Sequence, residues 1–234
     1  MSEIERAIAG CLIGTAVGDS LGLPCEGLSR ERGRKLFPDL TGHHFLFGWG
    51  MVSDDTQHTV FVAQALMASG GDPADGAAEL VELVGRAAHS AVRGESANEF
   101  ADGLGLTHGV SGYVYHTVPV ALQVWLGNSE DYRSGVLEVI RCGGDTDTTA
   151  GIAGALIGAR VSICGIPEEW RNGLWEWPCS VKWMEQLGRR LASSVSEAAA
   201  QECLPVARAA IPPRSLIFLA AVLTHGFRRL FPPY

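Results

Sequence analysis

The sequence predicts a mostly helical fold, and three observations carry that expectation. Strict alternation of polar and apolar residues is scarce, whereas Ala- and Leu-rich stretches recur with a period near 3.6 residues. Helix-start signals punctuate the chain. Gly10, Gly14, Gly18 and Gly22 fall at every fourth position, one bare ridge if the first helix extends that far.

Ser2 with Glu5 forms a capping-box signature that opens this helix. Asp72-Pro73 supplies an N-cap and first-turn pair for a helix running toward Arg93. Ile166-Pro167-Glu168-Glu169 starts another, and Val181 to Ala200 reads as a longer one. Gly154 and Gly158, with Ala150 alongside, give the helix after Asp147 a ridge matching the first, and small residues on facing ridges let backbones approach closely. The alternative is that these glycines only form local turns. If the ridges pack, Asp19 and Glu26 come close to the acidic cluster around Asp145.

The 234 residues fit one domain spanning 1–234, with 203–234 as a C-terminal helical extension. That tail is set off by Pro205, Pro212-Pro213 and Pro232-Pro233. It is expected to hold one short amphipathic helix, Arg214 to Leu230, packed on the body or on a second subunit. A net charge of −8 argues against nonspecific nucleic-acid binding. The basic run Arg30, Arg32, Arg34, Lys35 reads as a solvated loop. Six cysteines without a CxxC pair read as reduced thiols packed as small apolar residues. Met1-Ser2-Glu3-Ile4-Glu5 is acidic, unlike a signal peptide, and Leu216 to Leu223 is too short to span a bilayer. A cytoplasmic protein without a membrane partner is the expectation.

Chemistry concentrates in two clusters, Ser53-Asp54-Asp55-Thr56 and Gly143-Gly144-Asp145-Thr146-Asp147-Thr148. Carboxylates crowded together repel unless cations neutralise them. Oxygen-only ligand sets suit magnesium, manganese or calcium rather than zinc. Asp145 and Asp147 do not share a helix face, yet both can bend toward one point from a Gly-rich turn. The competing reading makes these residues helix N-caps. His43-His44 or Asp54 with His58 lack a third nitrogen or sulfur ligand at the spacing zinc needs. His108 and His116 are expected to pack a loop, Tyr113 to sit in the core, and Trp170, Trp175, Trp177 and Trp183 to pack the C-terminal third.

Together, Gly10-Cys-Leu-Ile-Gly14-Thr-Ala-Val-Gly18-Asp19-Ser-Leu-Gly22-Leu-Pro24-Cys-Glu26 and the two clusters resemble the ADP-ribosylglycohydrolase family. Gly112-Tyr113-Val114 before Pro119 is similar to a further family segment. The resemblance implies an all-α orthogonal helical bundle with a dinuclear Mg2+ or Mn2+ centre. Ser53, Asp54 and Asp55 align with its first ligand motif, and Asp145, Asp147 and Thr148 with its second. Glu26 takes the position of an acidic residue implicated in catalysis in some members. Asp19, Gly112, Tyr113 and Gly144 are the implied substrate-facing residues. One departure stands out: between its metal motifs the chain has no Gly-Asn-Gly-x-x-Met-Arg segment, as though a block of helices were missing.

The implied activity is metal-dependent hydrolysis of the bond between ADP-ribose and an acceptor. The alternatives are a shortened module that holds metal and ADP-ribose without turnover, and an assembly role in which a homodimer restores a complete surface.

Overall fold

The computed structural model describes residues 2–45, 48–57, 59, 60, 63, 78–228, 230 and 231. Its helices are α1 (Glu3–Gly22), α2 (Arg30–Leu36), α3 (Ala78–Arg93), α4 (Ala97–Gly103), α5 (Val114–Gly127), α6 (Tyr132–Ile140), α7 (Thr146–Gly165), α8 (Glu168–Asn172), α9 (Val181–Glu197) and α10 (Ile211–Arg228). Residues 54–57 and 59–60 are also helical. Among the described residues no strand forms, only isolated bridges, so the expected all-α class holds.

The capping box of α1 is present in full: Ser2 Oγ accepts from Glu5 N, and the Glu5 carboxylate accepts from Ser2 N. The glycine ridge runs from Gly10 to the end of α1 and lies against α7. A Cβ at Gly10 would overlap the Gly158 carbonyl, one at Gly14 the Gly154 carbonyl, one at Gly18 the Ala150 carbonyl and one at Gly22 the Thr146 carbonyl. The two helices therefore run antiparallel, matched four residues for four, with backbone against backbone. The turn-former alternative fails for these four.

Side chains pin this contact at both levels. Tyr132 Oη donates to Gly14 O at 2.6 Å, and Thr146 Oγ1 donates to Gly22 O at 2.8 Å. Tyr132→Phe removes one buried bond and is expected to destabilise by about 1 kcal/mol in urea unfolding. Gly188 of α9 abuts Ala9, closing a second side of α1. α5 and α6 pack on α7, and α3 packs on α5. Ile13, Val17, Val124, Ile157 and Trp170 fill the space between.

Three expectations about the elements change. The basic run forms α2 rather than a loop, with Ser29 Oγ capping Arg32 N. The tail helix begins at Ile211, because Pro212 and Pro213 occupy the first turn, where no N–H is needed. Cys164 and Cys203 are exposed, although all six cysteines are free as expected. The start of α3 at Asp72-Pro73 lies outside the described residues.

α10 is held by Arg214, which is buried among apolar neighbours. Its guanidinium grips Glu176 at 3.0 and 2.8 Å, donates to Val52 O at 2.6 Å and lies over the Phe218 ring. Residues 3–25, 146–165 and 208–227 are each long and apolar enough to cross a membrane by length and composition, so the tail stretch is longer than Leu216–Leu223 suggested. The first is 89% buried inside the fold and the third only 6%.

Candidate metal centre

The antiparallel ridge brings the end of α1 to the start of α7, which sets Asp19, Asp145 and Asp147 at one corner of the bundle. Asp19 is fully buried. Its carboxylate accepts from Ser53 N at 3.0 Å, from Thr56 N at 3.2 Å and from the Thr56 hydroxyl. It caps, from another helix, the helical turn that begins at Asp54. Ser53 Oγ adds the local cap by accepting from Asp55 N at 3.2 Å. Asp19 thus lies behind the cluster as a positioning group, with no surface to offer a substrate. Burial raises its pKa to about 7 despite the Thr56 and Ser53 hydrogen bonds.

The two clusters, 93 residues apart in sequence, meet directly. Thr148 Oγ1 donates to Asp55 Oδ2 at 3.0 Å, and Ser53 Oγ is 3.5 Å from the same oxygen. Asp54 is exposed and Asp55 half-buried, so the turn presents its carboxylates outward. Asp145 occupies the N-cap position of α7, yet its side chain makes no capping hydrogen bond. Its carboxylate is therefore not spent on its own helix, and the N-cap reading fails for this residue.

Asp147 is 5% exposed, and its Oδ1 is buried without a hydrogen-bond partner. Burial first, then a hydrogen bond with Asp145, then the charges of Glu26, Asp19 and Asp145, raise its pKa to about 9. A buried carboxylate oxygen lacking a donor costs free energy, and a cation satisfies it. Asp145 adjoins Asp147, while Ser53, Asp55 and Thr148 contact one another, and all five carry oxygen donors of the kind that suits a hard divalent ion. As they stand, among the described residues, no three His, Cys, Asp or Glu side chains converge as a finished metal site.

Glu26 stands exposed at the rim, close enough for its charge to act on Asp147. Its loop is tied down by Gly27 N donating to Gly144 O at 2.6 Å. Gly144 N donates to Leu28 O at 2.9 Å, and Asp145 N to Val110 O at 2.7 Å. Both backbone groups of Gly144 are spent on the scaffold rather than offered to a substrate. Its φ of +86° and the overlap a Cβ would make with Val110 explain the glycine.

Gly112 leaves room for the Asp145 carboxylate, which occupies the place a Cβ would take. Tyr113 is 58% exposed, not in the core, and stacks at a tilt on Tyr115 beside His116. His116 Nδ1 meets Ser111 Oγ at 2.7 Å, in keeping with loop packing. His43 is buried, with Nε2 donating to Trp170 O and Nδ1 accepting from Ser20 Oγ, a satisfied structural histidine. His58 lies outside the described residues. Trp170 is fully buried, whereas Trp175 is partly exposed.

Sequence reasoning missed Arg30. It donates to Cys142 O at 3.0 Å, to Asp102 at 2.7 Å and to Leu106 O at 2.9 Å, and so braces the Gly143-Gly144 turn from below. No local signal marks it, since its partners lie 72 to 112 residues away. A separate cavity of about 830 Å³, lined by Thr56, Trp177, Met184 and Arg214 among others, lies behind the turn, and none of the cluster carboxylates lines it.

Comparison with known proteins bears on the fold and the family. A protein of Archaeoglobus fulgidus described as uncharacterized is 35% identical over 68 residues, 27% of this chain and 22% of that protein. A solved structure titled ADP-ribosylglycohydrolase-related protein complex superposes with a TM-score of 0.56 at 19% identity, covering 83% of this chain and 100% of that one. It shares the fold. The family model for ADP-ribosylglycohydrolase matches residues 1–103 and 74–201, and its two matches overlap over 74–103, where the sequence suggests a missing block. The chain belongs to the ADP-ribosylglycohydrolase family.

Proposed function

We propose that this chain hydrolyses the glycosidic bond between ADP-ribose and an acceptor, with divalent cations, Mg2+ or Mn2+, held by Ser53, Asp54, Asp55, Asp145, Asp147 and Thr148. The observation that carries this reading is the meeting of both acidic clusters through Thr148 and Asp55, next to a buried carboxylate oxygen without a donor. When bound, such ions orient ribose hydroxyls and polarise a water.

The chain's own residues do the rest. Asp19 and Ser53 fix the turn that carries Asp54 and Asp55. Glu26, at the rim and with its charge felt by Asp147, takes a proton from the attacking water as the anomeric centre gains oxocarbenium character. Tyr113 offers an exposed aromatic face beside Gly112 for a base or ribose to lie against. The test is release of ADP-ribose from arginine-, serine- and nucleic-acid-linked substrates with Mn2+ or Mg2+, and its loss in chelator. Glu26→Gln is expected to lower kcat about 100-fold or more while leaving metal affinity unchanged. Equal turnover by the variant removes Glu26 from the mechanism.

A second reading, binding without turnover, is favoured by one observation: the Gly-Asn-Gly-x-x-Met-Arg segment is absent from the sequence. Calorimetric binding of ADP-ribose with no release from any of the three substrates selects it.

A further inference from the structure

The cavity behind the turn that carries Asp54 and Asp55 has no part in the hydrolysis proposed above. Its walls come from three stretches of the chain. Thr56 and Val60 follow the turn, Trp177 and Met184 lie before and within α9, and Val206 and Ile211 lead into α10. The third stretch is tied down at several points. Glu202 O accepts from Arg190 Nη1 at 3.0 Å, and Pro205 O accepts from Trp183 Nε1 at 3.1 Å. Arg214 Nη2 donates across to Val52 O at 2.6 Å. The cavity, about 830 Å³, is therefore a preformed space rather than slack between loose segments. That volume falls within the roughly 300–1,000 Å³ of sites that take one small organic molecule.

Most of the wall is apolar, and most of its polar groups are already engaged. The Thr56 hydroxyl donates to Asp19, and Arg214 holds both Glu176 oxygens at 3.0 and 2.8 Å. Burial pushes the Cys179 thiol up to about 11, so it stays neutral near pH 7. Arg208 differs. It is exposed, lines the cavity, and its guanidinium makes no hydrogen bond or ion pair with a described residue. Glu176, Arg208 and Arg214 are the charged residues of the wall, and with one pair cancelled a single positive charge is left.

We infer that this cavity binds one small apolar anion, an aliphatic carboxylate. Its chain lies against Trp177, Met184 and Val206, and its carboxylate meets Arg208. A guanidinium matches a carboxylate in shape as well as charge. A neutral apolar molecule leaves Arg208 without a partner, and a cation is repelled by it. None of the cluster carboxylates lines this space, so the anion faces Arg208 rather than the acidic corner.

Calorimetry on the full chain in chelator tests this, with neither metal nor hydrolysis entering the reading. Decanoate is expected to bind one per chain with a Kd on the order of 100 µM. Decyltrimethylammonium, a chain of the same length with the opposite charge, is expected to bind at least about tenfold more weakly. Arg208→Glu, at an exposed site, is expected to reverse that order. Val206→Trp, which fills the cavity, is expected to abolish binding of both. Leu223→Asp, on the exposed apolar face of α10, is expected to leave decanoate binding unchanged. No decanoate binding, equal binding of the two ions, indifference to Arg208→Glu or to Val206→Trp, or loss in Leu223→Asp overturns the proposal. So does flotation with phosphatidylglycerol vesicles when free decanoate is not bound, which assigns the anion to a lipid surface instead.

Discussion

Gly14→Ala is expected to lower the stability of the chain by about 3 kcal/mol or more, a drop of roughly 10 °C in thermal midpoint for a domain of this size. The added methyl falls on the Gly154 carbonyl of α7. Neither backbone can retreat alone, because Gly10, Gly18 and Gly22 hold the same register along the helix and Tyr132 bonds Gly14 O from the side. Relief requires the whole contact to open, and that also separates Asp19 from Asp147. Gly33→Ala is the matched control: α2 leaves open space around Gly33, and the substitution is expected to stabilise by about 0.5–1 kcal/mol. Equal stability of the two variants in urea unfolding contradicts the close backbone contact.

Asp147→Asn is expected to abolish ADP-ribose release, with a loss of about 1,000-fold or more, and to weaken Mn2+ binding in parallel. Its effect on stability runs the other way. With metal chelated, the folded Asp147 holds its proton up to about pH 9, whereas an unfolded aspartate releases it near its ordinary value of 3.8. The stability linked to this group is complete below about pH 4 and is lost as pH rises toward 9. Asp19, with a pKa of about 7, adds a loss in the same direction that ends near pH 7. Above pH 7 the wild type therefore keeps losing stability in chelator while Asp147→Asn levels off. Added Mn2+ rescues the wild type and leaves the variant where it was, because cation binding requires the ionised carboxylate. Thermal melts from pH 5 to 9 with and without chelator decide this. A variant that binds Mn2+ and turns over like the wild type removes Asp147 from the centre.

Much of this was legible in the sequence because it was periodic or local. Glycine at every fourth position in α1, answered by Gly154 and Gly158, pointed to a close helix contact, with local turns as the alternative. The short acidic clusters announced their own helix starts. What stayed hidden depended on partners far along the chain. Asp19, flanked by glycine, reads as substrate-facing until residues 53–56 fold over it. Arg30 looks solvated until Asp102, Leu106 and Cys142 surround it. Tyr113 looks like a core residue, since nothing local says that α5 begins at the surface. The apolar tail was ambiguous for the same reason: without Glu176 and Val52 in place, the face that Arg214 turns inward is unknown.

The carboxylate of Asp19 has an implication for how this chain tolerates loss. The turn bearing Asp54 and Asp55 is gripped across space, and the Asp145 turn is locked by Leu28 and Val110, so neither is located by the length of polypeptide joining them. Intervening sequence can be trimmed, as the absent block suggests, while the anchored ends keep their places. A lineage can thus erode the periphery of such a protein and hand down its acidic corner intact.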